Sequence, residues 1–253
     1  MKYKQMIIPA SMAALAIAAA VGYEGHNPNS TKKTEIKGNY VAVSPDDFTN
    51  IYDSSVLVYR SMTLEEKCKD SAVINHIGSG ILLQDSQTGT EYVLTAEHLT
   101  VNKSFICKEE ENPSKERSIK IQKGSLTVAR STATLLKENE SADQALLQLE
   151  ENVINASPYK GKIAKQYFLG EYVIGTSYPG GKHTYFIANI TEREEKWIII
   201  NHNNKGGSSG GGIYRFGDQG FELIGTTRGG TAITSLERLQ ELIKGTPLED
   251  DYL

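Results

Sequence analysis

The chain has 253 residues, of which 39% are hydrophobic and 23% are charged, and its formal net charge at pH 7 is −4. This length and apolar content support one sizeable core or two smaller cores that share an interface, and they exclude a largely disordered chain. A mildly acidic chain without a basic block gives no reason to expect a nucleic-acid partner.

The first 20 residues are predicted to form a targeting segment. Lys2 and Lys4 give a basic start, and residues 6–21 are uncharged, mostly apolar and end in small side chains. This run is shorter than the roughly 20 apolar residues that cross a bilayer, and Ala18-Ala19-Ala20 has the small-x-small pattern of a signal peptidase site. We expect a cleaved signal peptide and a secreted or periplasmic protein. The alternative is a retained anchor, with membrane contact through this segment alone and the rest of the chain outside the cytoplasm.

Residues 21–50 are polar and lack an apolar period, so we predict a flexible arm that precedes one domain over residues 51–253. From Ile51 onward, short apolar runs alternate with turn signals, which is typical of an antiparallel sandwich or barrel. Most runs are short and rich in β-branched or aromatic residues; they cover 55–60, 77–83, 92–96, 125–136, 145–149, 172–175, 185–190, 197–200 and 221–225. The predicted fold class is therefore all-β.

The two cysteines of the chain, Cys68 and Cys107, both lie in the part that is predicted to be exported. In an oxidising compartment such a pair usually forms a disulfide, which is our expectation. The alternative is a pair of buried thiols.

Two polar residues occur where an apolar strand starts or ends. His98 follows the apolar run 92–96, and an imidazole can accept and return a proton near neutral pH. Asp143 precedes the run 145–149, where a carboxylate that loses water needs a hydrogen-bond donor such as an imidazole. Taken singly, His98 is also compatible with a structural role, and Asp143 with the capping of a turn.

The segment 205–212 contains five glycines in eight residues and carries Ser209. Glycine permits positive φ angles and close backbone approach. A sharp turn of this kind can expose the Ser209 hydroxyl and direct the amides of Gly207 and Ser209 at one point, which forms an oxyanion hole. Taken alone, the segment is also compatible with a flexible glycine-serine loop.

One amphipathic helix is predicted over about 234–244. Thr234 and Glu237 have the spacing of a capping box, and Gly245 is placed to end the helix. Apolar residues follow the cap at helical spacing: Leu236, Leu239, Leu242 and Ile243.

The order His98, Asp143, Ser209 along an all-β chain resembles the trypsin/chymotrypsin-like serine peptidases, over about residues 55–244. The motifs that carry the resemblance are Gly78-Ser-Gly80-Ile, Thr95-Ala-Glu-His98, Asp143-Gln-Ala-Leu-Leu and Gly207-Ser-Ser-Gly-Gly211. Tyr178-Pro-Gly-Gly181 and Glu222-Leu-Ile-Gly225 are similar to the bacterial branch, near the glutamyl-endopeptidase and exfoliative-toxin group and the Deg/Htr proteases.

This resemblance implies two antiparallel six-stranded β-barrels, at about 51–150 and 160–233, with the site between them and the helix at the end. It implies Ser209 as nucleophile, His98 as base and Asp143 as the group that orients the imidazole. The expected function is an exported serine endopeptidase that cleaves protein or peptide substrates through an acyl-enzyme, with no cofactor and no metal. The alternative is a catalytically inactive, protease-like binding module.

The resemblance also places a specificity pocket, whose residues would be Asn203, Asn204, Thr226, Thr227 and Arg228. None of them is acidic, so a substrate Lys or Arg before the cleaved bond would have no anionic partner. We expect an uncharged polar or acidic residue at that substrate position instead, and an aromatic or aliphatic residue is the alternative. The natural substrate and the oligomeric state stay open.

Overall fold

The computed structural model describes residues 45–63, 73–100, 117–123, 131–153, 156–217 and 220–253. The predicted targeting segment, most of the predicted arm, Cys68 and Cys107 lie outside these ranges, so the export and the disulfide stay predictions. Within the described ranges, no helix has the length and apolarity needed to cross a lipid bilayer.

Eleven strands and three α-helices form in the described part of the chain. The strands are β1 Ser55–Thr63, β2 Val73–Gln84, β3 Glu91–Thr95, β4 Arg117–Gln122, β5 Ser131–Asn139, β6 Gln144–Leu149, β7 Tyr172–Ser177, β8 Thr184–Arg193, β9 Trp197–Asn204, β10 Gly212–Gly217 and β11 Gly220–Thr234. The helices are α1 Pro45–Asp53, α2 Leu236–Ile243 and α3 Glu249–Tyr252.

The first six strands close into an antiparallel barrel in the order β1-β2-β3-β6-β5-β4. Successive side chains of a strand point to opposite faces, so every second residue points into the barrel. Val56, Val58 and Leu82 belong to one buried cluster with Val93 and Leu147. The predicted all-β class and the first six-stranded barrel are confirmed.

The second half contains five strands, which pair in a ring in the order β10-β11-β9-β8-β7. The predicted second six-stranded barrel is therefore not confirmed. The reason lies in β11, which pairs with β10 near its start and with β9 near its end, through Gly212↔Thr226 and Ala232↔Ile199. The apolar run 221–225 indicated only the first part of this strand.

Helix α1 begins inside the segment that was predicted to be a flexible arm, so that prediction is wrong for residues 45–50. Its apolar side chains pack on the domain: Ile51 is fully buried, and the Phe48 ring meets the Tyr185 ring edge-on at 5.3 Å. Next to the helix, Ser55 Oγ donates to Thr176 Oγ1 at 2.6 Å, which joins the first barrel to the second set of strands.

The C-terminal helix α2 is confirmed, and its four predicted apolar residues are all buried. The predicted capping box is wrong. Ser235 occupies the N-cap without a side-chain cap bond, and Thr234 Oγ1 hydrogen-bonds to Thr226 in β11 instead. Thr234 is still part of β11, where it pairs with Trp197 of β9. Its hydroxyl is therefore used within the sheet, by Thr226, and does not cap the helix.

Candidate active site

His98 is presented by a single 3₁₀ turn that follows a buried strand. All five residues of β3 are buried, and Ala96 leads into the turn Glu97–Leu99. Thr100 closes the turn, since its amide and its hydroxyl both donate to Glu97 O, at 2.7 and 2.8 Å. Leu99 is buried beside it, whereas 45% of the His98 side chain is exposed. The backbone is thus fixed while the imidazole stays accessible.

Asp143 is positioned by a turn of its own, between β5 and β6. Asn139 Oδ1 accepts from Ala142 N at 3.2 Å, and Asp143 N donates to Glu140 O at 3.2 Å. Asp143 adopts a left-handed conformation, with φ 52°, which Asp tolerates better than most residues. This conformation lets the chain enter β6 while the carboxylate is buried.

The structure brings His98 and Asp143 together. His98 Nδ1 lies 2.9 and 2.8 Å from the two carboxylate oxygens of Asp143, and the His98 amide donates to Oδ1 at 2.9 Å. A carboxylate is an acceptor, so Nδ1 must carry a proton. In the neutral ring this leaves Nε2 with a lone pair, which is the form that can accept a proton from a nucleophile.

Arg228 was predicted to line the specificity pocket, and in the structure its side chain lies next to Asp143. Arg228 Nε lies 3.5 Å from Asp143 Oδ2, and the guanidinium lies over the Trp197 ring, 4.5 Å from its centroid. The buried Asp143 carboxylate therefore faces a cation on one side and the imidazole on the other. Its charge is balanced even when His98 is neutral.

Ser209 is the second residue of the second of two consecutive tight turns, 205–208 and 208–211. Ser208 N donates to Lys205 O, and Gly211 N donates to Ser208 O, both at 3.0 Å. The third residue of each turn is a glycine with positive φ: 91° at Gly207 and 84° at Gly210. These are type II turns, which require that conformation at the third position. At Gly210 a side chain is also excluded sterically, because a Cβ would come within 2.1 Å of Ser79 O.

The Ser209 hydroxyl does not hydrogen-bond to His98 in this structure. Its Oγ donates to Arg228 O at 2.8 Å. Within the described residues, the amides of Gly207 and Ser209 have no acceptor. The two donors predicted to form an oxyanion hole are therefore available to a ligand, while the hydroxyl has turned to a neighbouring carbonyl.

The other predicted pocket residues differ in their availability. Thr227 Oγ1 donates to Ser208 O and accepts from Gly211 N at 3.1 Å, and Thr226 Oγ1 lies 3.0 Å from Thr234 Oγ1. Both threonines are fully buried, so their hydroxyls stabilise the fold and are not offered to a ligand.

Asn203 and Asn204 follow on β9. Asn203 is exposed, whereas Asn204 is buried and its Nδ2 donates to Gly230 O at 3.0 Å. That bond fixes the side-chain amide, and Asn204 Oδ1 is left buried without a partner among the described residues. Of the five predicted pocket residues, Asn204 alone offers a buried and unused polar atom.

Sequence reasoning missed a buried basic pair behind the site. His183 lies between the rings of Tyr178 and Tyr52, at centroid distances of 4.7 and 4.2 Å, and both its ring nitrogens are buried without a partner. Burial, and then the charge of Lys123, lowers the pKa of His183 to about 3. Burial also lowers the pKa of Lys123 to about 8. Lys123 Nζ donates to Tyr52 O and Ser55 O.

The described residues contain no group of three His, Cys, Asp or Glu side chains arranged to hold a metal ion. What the site does contain is an oriented imidazole, a hydroxyl on a tight turn and two unused amide donors. This set of groups is suited to acyl transfer, in which a base activates a hydroxyl and amides stabilise an oxyanion.

Comparisons with known proteins agree with this chemistry. The family model described as lysyl endopeptidase, C-terminal domain, matches residues 52–241. Among solved structures, the serine endoprotease from Yersinia pestis is similar in fold, with a TM-score of 0.55 and 18% sequence identity over 83% of this chain and 68% of that chain. No curated protein sequence matches. The chain therefore belongs to the trypsin/chymotrypsin-like serine peptidases, in the family of the lysyl endopeptidase C-terminal domain.

Proposed function

We propose that this protein is an exported serine endopeptidase in which Ser209, His98 and Asp143 act together. One observation carries the proposal: the Asp143 carboxylate holds His98 Nδ1 at 2.8 Å. His98 Nε2 is therefore free to act as a base next to residues 205–212, which we call the Ser209 loop. Membership of a serine peptidase family supports it independently. Export is supported by the basic start and apolar run of the first 20 residues.

The reaction begins when Ser209 Oγ attacks the carbonyl carbon of the cleaved bond and its proton passes to His98 Nε2. The carbonyl oxygen becomes an oxyanion and accepts from the amides of Gly207 and Ser209. The intermediate collapses, the C–N bond breaks, and the leaving amine takes the proton from His98. Water then attacks the acyl ester, again giving a proton to His98, and Ser209 Oγ leaves as the hydroxyl with that proton.

Substrate is expected to release the Ser209 hydroxyl. Arg228 and Gly229 pair with no strand in the described residues, and Arg228 O is bound only by Ser209 Oγ. An extended peptide can add to such a strand edge and donate its own N–H to that carbonyl. Ser209 Oγ would then lose its acceptor and turn to His98 Nε2. This hydrogen bond to Arg228 is also the one observation that favours the rival function, a binding module without activity.

We also propose that the substrate residue before the cleaved bond is uncharged and polar, or acidic. The name of the family model refers to cleavage at lysine, which requires an anion in the pocket. The residues predicted to line that pocket, apart from Arg228, are neutral, and the exposed Lys205 at its edge is cationic. A mixed peptide library tests this, and dominant cleavage after Lys would refute it.

The decisive experiment for the function is covalent labelling by a fluorophosphonate. In this reaction Ser209 Oγ attacks phosphorus, fluoride leaves, and the hydroxyl proton passes to His98. We expect labelling and casein hydrolysis by the wild type and neither by Ser209→Ala or His98→Ala. Ser208→Ala is the matched control, because it removes the neighbouring serine hydroxyl, which is buried and lies 3.3 Å from Ser177 Oγ. A folded wild type that is not labelled would favour the binding module.

A further inference from the structure

Ser79 belongs to the first barrel but makes most of its bonds to the Ser209 loop and to the segment beside that loop. Its Oγ donates to Gly207 O at 2.8 Å and accepts from Tyr178 N at 2.8 Å. Its amide donates to Ser209 O at 2.7 Å. Its own carbonyl accepts from Thr95 Oγ1 at 2.6 Å, and the residue is 1% exposed. The amide, carbonyl and hydroxyl of this buried serine thus make four hydrogen bonds, three of which go to the second half of the molecule.

These bonds fix the peptide planes on both sides of Gly207. Ser79 Oγ holds Gly207 O, and Gly180 N holds Gly206 O at 3.2 Å. In a trans peptide the N–H points opposite to the preceding C=O, so the position of Gly206 O sets the direction of the Gly207 N–H. A type II turn becomes type I when its central peptide flips, which would reverse that N–H. The Gly206 and Gly207 carbonyls are therefore both restrained against this flip.

Ser79 Oγ also links the two restraints. By accepting from Tyr178 N it holds the start of the turn Pro179–Gly181, and that turn carries the Gly180 amide. Removal of the Ser79 hydroxyl would free Gly207 O directly. It would also release Tyr178 N, and so loosen the turn whose Gly180 amide holds Gly206 O. Gly207 O would then lose its donor, and Gly206 O would be held less firmly by Gly180 N.

We propose that Ser79 is a positioning residue that keeps the Gly207 N–H directed into the oxyanion hole. The inference rests on the proposed peptidase function. Ser79 touches no reacting atom; it acts through the Gly207 and Ser209 carbonyls. Loss of a single oxyanion donor lowers kcat by about 10²–10³-fold. A donor that is misdirected for part of the time has a smaller effect, so Ser79→Ala is expected to lower kcat by about 10–100-fold with little change in KM.

Ser55 gives a matched control within the same barrel. It is also a buried serine, 1% exposed, whose Oγ hydrogen-bonds to Ile51 O at 2.9 Å and, in the second half, to Thr176 Oγ1 at 2.6 Å. Among the described residues, its hydroxyl makes no hydrogen bond to the Ser209 loop. Ser55→Ala removes two side-chain hydrogen bonds, as Ser79→Ala does, but only the one to Thr176 joins the two halves. It is expected to lower stability without lowering kcat.

The experiment compares wild type, Ser79→Ala and Ser55→Ala in three measurements. These are kcat and KM on a peptide chosen from the library, the affinity of a matching peptide boronate, and the midpoint of urea unfolding. A boronate bound to Ser209 places a tetrahedral oxygen in the oxyanion hole, so its affinity reports on that hole. For Ser79→Ala we expect kcat and boronate affinity to fall together by about 10–100-fold, while the unfolding midpoint falls no further than in Ser55→Ala.

Two results would overturn the inference. The first is a Ser79→Ala protein whose kcat and boronate affinity equal those of the wild type. The second is an equal loss of both in Ser55→Ala. If Ser79→Ala does not fold, Ser79→Cys is measured in its place, because the thiol is a weak donor and an intermediate loss of kcat is expected. Failure of the proposed function itself would be seen earlier, as an inactive and unlabelled wild type.

Discussion

Replacement of His183 by Phe should make the protein both more stable and less sensitive to acid. The His183 ring lies between Tyr178 and Tyr52, at centroid distances of 4.7 and 4.2 Å, and its two nitrogens are buried without partners. A phenyl ring has similar shape and can keep both ring contacts. The change removes polar atoms whose desolvation is not offset by hydrogen bonds, which stabilises the folded state by about 1–3 kcal/mol at neutral pH.

The acid sensitivity follows from the pKa of His183, which burial and the neighbouring Lys123 lower to about 3. In the unfolded chain an imidazole binds a proton below about pH 6.5, whereas the folded state does not bind it until about pH 3. The stability contributed by the neutral ring is therefore complete above pH 6.5 and is lost as the pH falls toward 3. Between pH 7 and 4.5 the loss is about 2–3 kcal/mol, at about 1.4 kcal/mol for each pH unit below 6.5.

Urea unfolding at pH 7 and at pH 4.5, followed by the fluorescence of Trp197, measures the effect. The chain has a single Trp, so the signal has one source. His202→Phe is the matched control: its ring also stacks on an aromatic neighbour, Phe186 at 3.9 Å, but its nitrogens are not among the buried unpartnered atoms. If wild type and His183→Phe lose the same stability between the two pH values, the reasoning is refuted.

Three other changes test Lys123, Asp143 and Gly210. Burial lowers the pKa of Lys123 to about 8, so between about pH 8 and 10.5 the unfolded chain binds one proton more than the folded protein. The free energy of unfolding, measured in urea titrations, should therefore rise by about 3 kcal/mol across that window, and Lys123→Met should abolish the rise. Asp143→Asn should lower kcat by about 10⁴-fold because it disturbs the imidazole tautomer, and an unchanged kcat would contradict the role of Asp143. Gly210→Ala should lower Tm by more than about 5 °C, since φ is 84° and a Cβ would come within 2.1 Å of Ser79 O. A variant whose Tm, measured by calorimetry, equals that of the wild type would disprove this.

Local patterns predicted most strands, and the exceptions have physical reasons. Strand β4, Arg117–Gln122, has two apolar residues separated by Lys120, and its place is set by pairing with β1 and β5, not by its own hydrophobicity. In helix α1 the apolar residues Phe48 and Ile51 are one turn apart in a polar segment. Two residues at this spacing are too few to indicate an amphipathic helix. Their burial depends on surfaces that distant strands provide.

In the candidate site, the contact between His98 and Asp143 was predictable because strand ends carry both residues. The site was not predictable where a contact joins remote parts of the chain. Ser79 Oγ meets Gly207 O across 128 residues of sequence, and Gly78-Ser-Gly80 by itself indicates only a strand with close backbone neighbours. The orientation of Arg228 toward Asp143 and Trp197 also depends on packing that no local pattern encodes.

The partners of β11 also bear on aggregation. The strand is paired with β10 up to Thr226 and with β9 from Gly230 onward, and Thr227 N donates to Gly211 O. Only Arg228 and Gly229 lie between these attachments without a strand beside them. Exposed strand edges are templates for association with other chains, and proteins protect them by keeping them short. A gap of two residues admits a few residues of an extended peptide but is too short to start a sheet between two copies of the protein.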